Sequence, residues 1–509
     1  MLQFRHSFVL IFFLPVYAYG QDAVISDFVN TGNNDDLYII GGDEKGFFTG
    51  LTEDYYYQGS NNKQVITYYD TEEVKEVESV IIKPDMRSRE IFYTFSFQNQ
   101  LHTLVYDNKS EDDGLFHMYL NSYDRNMQPV GDEKDLDQIY PYIFSYDLGT
   151  AFRGAFSDQF GKMRRATFIS HKPNPAGDKV ALFFDFNYFN AAEANFQALV
   201  LDKNREVAWS GLIDLPDDDR QMLLEDYVLD NEGNLYILMM AFDNKNFRKT
   251  ASEFEYRLFR YEHKAGEAEE INLQSDGKFV INMGMCLDKD QQAVLAGVYA
   301  NPNNNDIEGG ILIRPSESEA ATRTFAFDDS MRNNINEKDK DKAEEYTIKH
   351  VVLDDDGSAV FFAESYHRGP MVTAKLKLSA FNPLDTDVEM GDIYKKILAV
   401  KMAYQPGQQW VRMIDKNQRS AESKDVYASF ALAYDEDAYY LVFNNEIKNA
   451  SDVSMVSISK GGDIELKPLL DRREHKLRLV PEFARMPAPG ILTVPVEKSR
   501  KQAVLRLKF

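Results

Sequence analysis

Residue types able to do acid–base or nucleophilic chemistry are plentiful in this chain, but their spacing matches no catalytic pattern. There is no G-x-S-x-G elbow, no H-E-x-x-H pair, no Walker-type glycine loop and no paired Cys/His set. With 82 acidic residues in 509, some carboxylate pair will always line a cleft, so pairing alone carries no signal. No catalytic residue and no cofactor is therefore assigned. The acidic turns Asp230/Glu232, Asp288/Asp290, Asp354–Asp356 and Asp435/Asp437 have calcium-like composition, yet none forms a twelve-residue calcium loop. Asp, Asn and Gly are also what tight hairpin turns require, so no metal site is expected. His102 and His117 fall on neighbouring strands, without a third ligand nearby in the pattern. Cys286, the single cysteine, sits in the apolar run Ile281–Leu287 and reads as a small buried hydrophobe.

Binding chemistry has a better address. The segment Gly131–Arg165 carries Tyr140, Tyr142, Phe144, Tyr146, Phe152 and Phe156 without strict period, then the basic cluster Lys162, Arg164 and Arg165. Such a loop either folds its rings onto the body of the protein or forms a platform for an extended or sugar-like ligand. A second insertion opens with Tyr366-His367-Arg368 and could face the first. The candidate binding residues are Tyr142, Tyr146, Phe152, Arg164, Arg165, Tyr366, His367 and Arg368.

The elements that must position these groups are hairpins. Leu224–Phe242 sets the plan: apolar runs Tyr227–Leu229 and Leu235–Phe242 flank the reversal at Asp230-Asn231-Glu232-Gly233-Asn234. Equivalent hairpins turn at residues 98–100, 174–177, 288–290, 354–357, 435–437 and 498–500, seven in all. Between them lie seven hairpins of a second kind, at Val65–Val80, Phe116–Val130, Gln197–Leu215, Tyr256–Leu273, Gly310–Phe327, Lys396–Ile414 and Ser454–Leu470. Both tryptophans, Trp209 and Trp410, occupy the same place in this second unit, which favours a packing role. First-kind strands are apolar on both faces and second-kind strands alternate or turn polar. A buried inner pair with a wetter outer pair is the pattern of a β-propeller blade.

The expected fold is therefore an all-β propeller of seven blades. Its ring would be closed by N- and C-terminal strands in one blade, with Val65–Val80 completing the C-terminal hairpin Ile491–Phe509. A weak hairpin over Leu37–Thr52 makes eight blades the alternative count, and two β-sandwich domains are the runner-up architecture. The long segments 131–165, 328–345 and 366–395 would emerge on one face and the tight turns on the other.

Residues 1–20 read as a signal peptide: Arg5 and His6, the nine-residue apolar core Phe8–Val16, then Ala18-Tyr19-Gly20. Nine apolar residues are too few to span a bilayer, which takes about 20, so residues 21–509 are expected to form one exported domain. The destination would be periplasmic, outer-surface associated or secreted. A formal charge of −25 argues against nucleic-acid partners, and a monomer is expected. The signal peptide, Ile414-Asp415-Lys416-Asn417-Gln418 and the stretch Tyr427–Asn449 (YASFALAYDEDAYYLVFNNEIKN) resemble uncharacterised exported β-propeller-like proteins of Bacteroidota-type bacteria. The resemblance implies export and a propeller-like fold, and brings no catalytic residues. The function expected is a non-catalytic binding or scaffold propeller for a protein, peptide or glycan. The alternative is a polysaccharide hydrolase or lyase using carboxylates at the channel mouth.

Overall fold

A computed structural model describes residues 22–30, 36–52, 64–83, 89–107, 116–139, 168–185, 195–216, 221–243, 249–315, 321–337, 345–371, 389–403, 407–421, 426–447 and 450–509. These residues build eight antiparallel sheets. Seven are four-stranded meanders in which chain order is also spatial order, over residues 36–82, 89–139, 168–214, 221–271, 279–326, 345–421 and 431–470. The eighth gathers strands from both chain ends. Adjoining blades pack on one another in succession and the first blade meets the eighth, so the ring closes.

The physical reason for this stacking is visible in the second strand of blade four, Leu235–Phe242, which is buried at every position. Side chains alternate across a strand. Ile237, Met239 and Ala241 accordingly pack toward blade three, while Tyr236, Leu238, Met240 and Phe242 pack toward blade five. Among the described residues the core divides into eight apolar clusters, each at a junction between adjoining blades. A strand apolar on one face only could not serve two neighbours. Each buried Leu, Ile or Met contributes about 1.5–3 kcal/mol, so the inner strands hold the ring. The outer strands are wetter: Glu76–Ile82 leaves Val77 and Ile81 half exposed, and Glu267–Ile271 has no buried residue.

The propeller expected from the sequence is present, and its blade count is eight rather than seven. The weak hairpin over Leu37–Thr52 is the inner pair of blade one (Asp36–Gly42 and Gly46–Thr52), and Val65–Val80 supplies that blade's outer pair (Gln64–Asp70 and Glu76–Ile82). Its strand signal is weak because four glycines interrupt it, and those glycines are required sterically. A Cβ at Gly46 would lie 2.2 Å from the Tyr68 hydroxyl, and one at Gly50 would lie 2.3 Å from the Tyr38 ring.

Ring closure therefore corrects the expected strand, though not the principle. Phe509 and Tyr68 lie in different sheets, and the C-terminal strand Lys501–Lys508 is flanked instead by Asp22–Ile25 and Val29–Asn30. Ser26 fastens the junction: its backbone N–H donates to the Val504 carbonyl at 2.9 Å, and its Oγ accepts from the Val504 N–H at 3.0 Å. Arg506 donates to the Asp22 carboxylate at 2.9 Å. Inside, the eighth blade is completed by Arg478–Leu479 and Arg485–Ala488, either side of a 3-10 turn at Pro481–Phe483.

The expected insertions change in extent. Lys134–Ile139, placed at the head of the 131–165 segment, is the outer strand of blade two. The 328–345 segment contains a helix, Asp329–Ile335, capped by the Asp328 carboxylate accepting from the Met331 N–H. The 366–395 segment starts and ends as strand, because Ala359–Met371 and Glu389–Met402 continue as a long antiparallel pair.

Candidate functional site

Blade six departs from the plan at one level of its sheet. On the innermost strand, Ile348 pairs with Ala363 and His350 with Phe362, which leaves Lys349 as an extra, unpaired residue. The next ladder shifts between Glu364/Tyr366 and their partners Ile397/Tyr394, and the outer ladder shifts between Tyr394/Lys396 and Gln418/Asp415. Three aligned irregularities bend the sheet and re-aim the side chains beyond them. Inner-strand bulges recur at Ile40, Phe92, Glu225 and Ile281 in blades one, two, four and five. In blade six the break crosses the whole sheet.

A cavity of about 310 Å³ lies at this bend, lined by Thr347, Lys349, Glu364, Tyr366, Asp392 and Tyr394. That volume is at the small end of the roughly 300–1,000 Å³ usual for ligand sites. Its lining lies toward the ends of the strands that meet the inter-blade and inner-to-outer connections, opposite the tight turn at 354–357. The rings of Tyr366 and Tyr394 are 5.5 Å apart between centroids.

Both carboxylates of the cavity are engaged. Glu364 forms an ion pair with Lys416, each side chain fully buried, and its other oxygen accepts from Ser429 Oγ at 2.7 Å. Lys416 also donates to Gln418 Oε1 at 2.7 Å and lies over the Tyr394 ring at 5.5 Å. Burial draws the Lys416 ammonium below the ordinary lysine value, and Glu364 opposes that shift. The network continues into blade seven. Gln418 Nε2 donates to the Asn444 carbonyl at 2.6 Å, and Asn444 Nδ2 donates to the carbonyls of Tyr427 and Leu479, both at 2.9 Å. Asp392 accepts from the Tyr366 hydroxyl at 2.7 Å.

A second group lies on the innermost strands of blades two, three and six. Tyr93 hydrogen-bonds His171 Nδ1 at 2.9 Å. His350 keeps exposed surface although protein surrounds it, and its ring meets Phe430 edge-on at 5.7 Å between centroids. Burial pushes both histidines down to about 4; Arg485 adds to the effect on each, and Lys349 on His350. Arg485 itself is drawn down by burial, against the pull of Tyr93 and Glu482.

Of the sequence-predicted site residues, the structure places Tyr366 in the cavity wall. His367 follows it on the same strand in register with Ile393, and Arg368 is in register with Asp392. Tyr142, Tyr146, Phe152, Arg164 and Arg165 lie outside the described residues. Sequence reasoning passed over Lys349, Glu364, Asp392, Tyr394 and Lys416. One signal was available: Glu364 is a charged residue that directly continues the apolar inner run Ala359–Ala363, and burying a charge demands a partner.

The remaining candidates resolve into structural roles. Asp230 Oδ1 accepts the amides of Gly233 and Asn234 at 2.7 and 2.8 Å, and Asp288 and Asp435 close their turns the same way. Asp354 instead pairs with Lys401 at 3.0 Å and Lys460 at 2.8 Å, tying blade six to blade seven. Among the described residues no group of three or more His, Cys, Asp or Glu gathers closely enough to hold a metal ion. His102 bonds Ser122 Oγ at 2.8 Å and the Phe97 carbonyl at 3.1 Å, and register sets it well away from His117. Cys286 has its thiol pushed up to about 12 by burial. Each tryptophan reaches into the next blade, Trp209 donating to the Gly233 carbonyl at 2.9 Å and Trp410 to that of Lys460 at 3.2 Å. No described helix is long and apolar enough to cross a membrane.

No protein-family model matches this chain, and neither does any curated protein. Similar solved structures include a prolyl endopeptidase (TM-score 0.41, 9% identity, covering 92% of this chain and 55% of that one). The β-propeller domain of the Trilobed protease from Pyrococcus furiosus, described as having an open velcro topology, is 10% identical at a TM-score of 0.36 over 91% of this chain and 98% of its own. The acylaminoacyl peptidase of Pyrococcus horikoshii is 9% identical at a TM-score of 0.36, over 91% of this chain and 57% of that one. The chain spans a little over half the length of these two peptidases. These likenesses concern the fold and extend no further.

Proposed function

We propose that this chain is an exported, non-catalytic propeller that binds or scaffolds a protein, peptide or glycan through its long-loop face, with the blade-six cavity as one seat for the ligand. The observation that carries this reading is the state of the cavity's carboxylates. Glu364 is clasped by Lys416 and Ser429, and Asp392 holds the Tyr366 hydroxyl. A substrate oxygen would have to compete with the partners these carboxylates already hold. The aromatic pair and the exposed Lys349 suit recognition instead. Removal of residues 1–20 and export complete the proposal.

The polysaccharide hydrolase or lyase reading draws on Glu364 and Asp392 sharing one cavity. One experiment separates the two. Residues 21–509 and a Tyr394→Ala variant are screened on glycan and peptide arrays, and the same samples are assayed for released reducing ends and unsaturated products. Binding that is lost in the variant, without product release, supports the proposal. Product release by the parent that disappears in Glu364→Gln would overturn it.

A further inference from the structure

The charges of the blade-six cavity offset one another. Glu364 is cancelled where it is buried, by Lys416. That leaves Lys349, the exposed extra residue of the inner-strand bulge, and Asp392 as an ammonium and a carboxylate within one lining. A ligand of either sign therefore meets attraction and repulsion together. The rest of the wall is two phenol rings and a hydroxyl. Tyr366 and Tyr394 are half-buried, their planes tilted by 53° and their centroids 5.5 Å apart. Thr347 shares the inner strand with Lys349 and is exposed. Asp392 accepts from the Tyr366 hydroxyl through one oxygen, and a carboxylate has about four acceptor sites, so it has capacity for a further hydroxyl. The wall thus combines a pure donor, a pure acceptor, hydroxyls that do both, and flat apolar ring surface. At roughly 30 Å³ per water, a cavity of about 310 Å³ has room for about ten waters, close to the dozen or so heavy atoms of one sugar ring.

Resting on the reading of this cavity as a ligand seat, we infer that it takes an uncharged hexose unit of a glycan. One C–H face of the sugar lies against Tyr366 and Tyr394, and its hydroxyls bond Thr347, Lys349 and Asp392. A hexose suits the wall because it presents an apolar face together with hydroxyls that each donate and accept. An apolar peptide side chain would leave the wall's donors and acceptors unmatched. An acidic or basic ligand gains nothing from a lining whose charges offset, and a net charge of −25 on the chain disfavours an anion further. Accepting a hydroxyl also asks less of Asp392 than catalysis would, since no proton has to move.

The test is titration calorimetry on residues 21–509 with glucose, galactose and mannose, beside galacturonate, glucosamine and the tripeptide glycyl-seryl-glycine. For a ligand of this size at about 0.3 kcal/mol per heavy atom, at least one neutral hexose should bind with a Kd in the low millimolar range, roughly 1–3 mM. Each charged sugar should bind no more tightly than its neutral parent. Lys349→Ala, at an exposed position, should weaken hexose binding about fivefold, the loss of one hydrogen bond. Tyr394→Ala should abolish it and Tyr394→Phe should restore most of it, with circular dichroism confirming each fold. No hexose binding at about ten times the expected Kd overturns the inference. So does a charged sugar that binds about tenfold more tightly than its parent, or hexose binding unchanged in both Lys349→Ala and Tyr394→Ala. Tripeptide binding that is lost in Tyr394→Ala, without any hexose binding, overturns the saccharide assignment and leaves the binding-propeller reading standing. Absence of hexose and tripeptide binding together with blank glycan and peptide arrays takes down both.

Discussion

Replacing Lys416 by methionine is expected to destabilise blade six by about 3–5 kcal/mol, the cost of leaving a buried charge without its partner. The magnitude follows from the surroundings. Glu364 and Lys416 are both fully buried, and without the ammonium Glu364 keeps, among the described residues, only the Ser429 hydroxyl as a donor. Gln418 Oε1 loses one bond and retains the Ser429 amide at 2.9 Å. The double variant Lys416→Met, Glu364→Gln removes both charges while leaving an acceptor for Ser429. It should recover most of the loss, to within about 1 kcal/mol of the parent. The assay is urea unfolding followed by tryptophan fluorescence in a Trp209→Phe background. The remaining indole, Trp410, lies in blade six and packs against Tyr439 of blade seven, so it reports on that part of the ring. A midpoint shift with an unchanged slope gives the free-energy difference. A single variant that costs less than about 1 kcal/mol, or a double variant no better than the single, would refute the view that the pair is a mutually dependent buried unit.

Two further outcomes follow from the fold. His102 stacks on Phe95 at 5.0 Å, and burial pushes it down to about 4. A histidine depressed in the folded state leaves the unfolded chain holding more protons between pH ~6.5 and ~4. Its stabilising contribution is therefore complete above pH ~6.5 and declines by about 3 kcal/mol as the pH falls to ~4. His102→Phe should flatten that part of the stability–pH curve, and an unchanged slope in thermal melts would contradict the assignment. At the ring closure, Ser26→Ala leaves the buried Val504 amide without its acceptor, at a cost of about 1–3 kcal/mol. Hydrogen exchange at Val504 should accelerate well beyond that at Leu492 on the adjacent strand, and equal protection would argue against the N-terminal strand as the clasp.

How much of this was legible in the residues depends on whether the signal is local. Hairpin turns are local: Asp at the first position, with Gly or Asn near the end, closes the reversal through its own carboxylate, as at Asp230. Burial on both faces is local too, because a strand such as Leu235–Phe242 must be apolar throughout to serve two neighbours. From these came the repeat, the inner and outer strands, and the propeller. The count of blades was harder to read, since Gly46 and Gly50 dilute strand character for the sake of rings packed from neighbouring strands.

The amino-acid order by itself thus determined the blade and its tendency to stack, because periodicity and turn chemistry act within a dozen residues. Folding in three dimensions decided where the ring shuts and where its cavity opens. The clasp joins Ser26 to Val504 across the whole chain, and the cavity depends on a bulge, which is a mismatch between paired strands and has no signature in either strand alone. Glu364 shows in the sequence as a charge in need of a partner. Only the bent sheet of blade six supplies Lys416 to meet it.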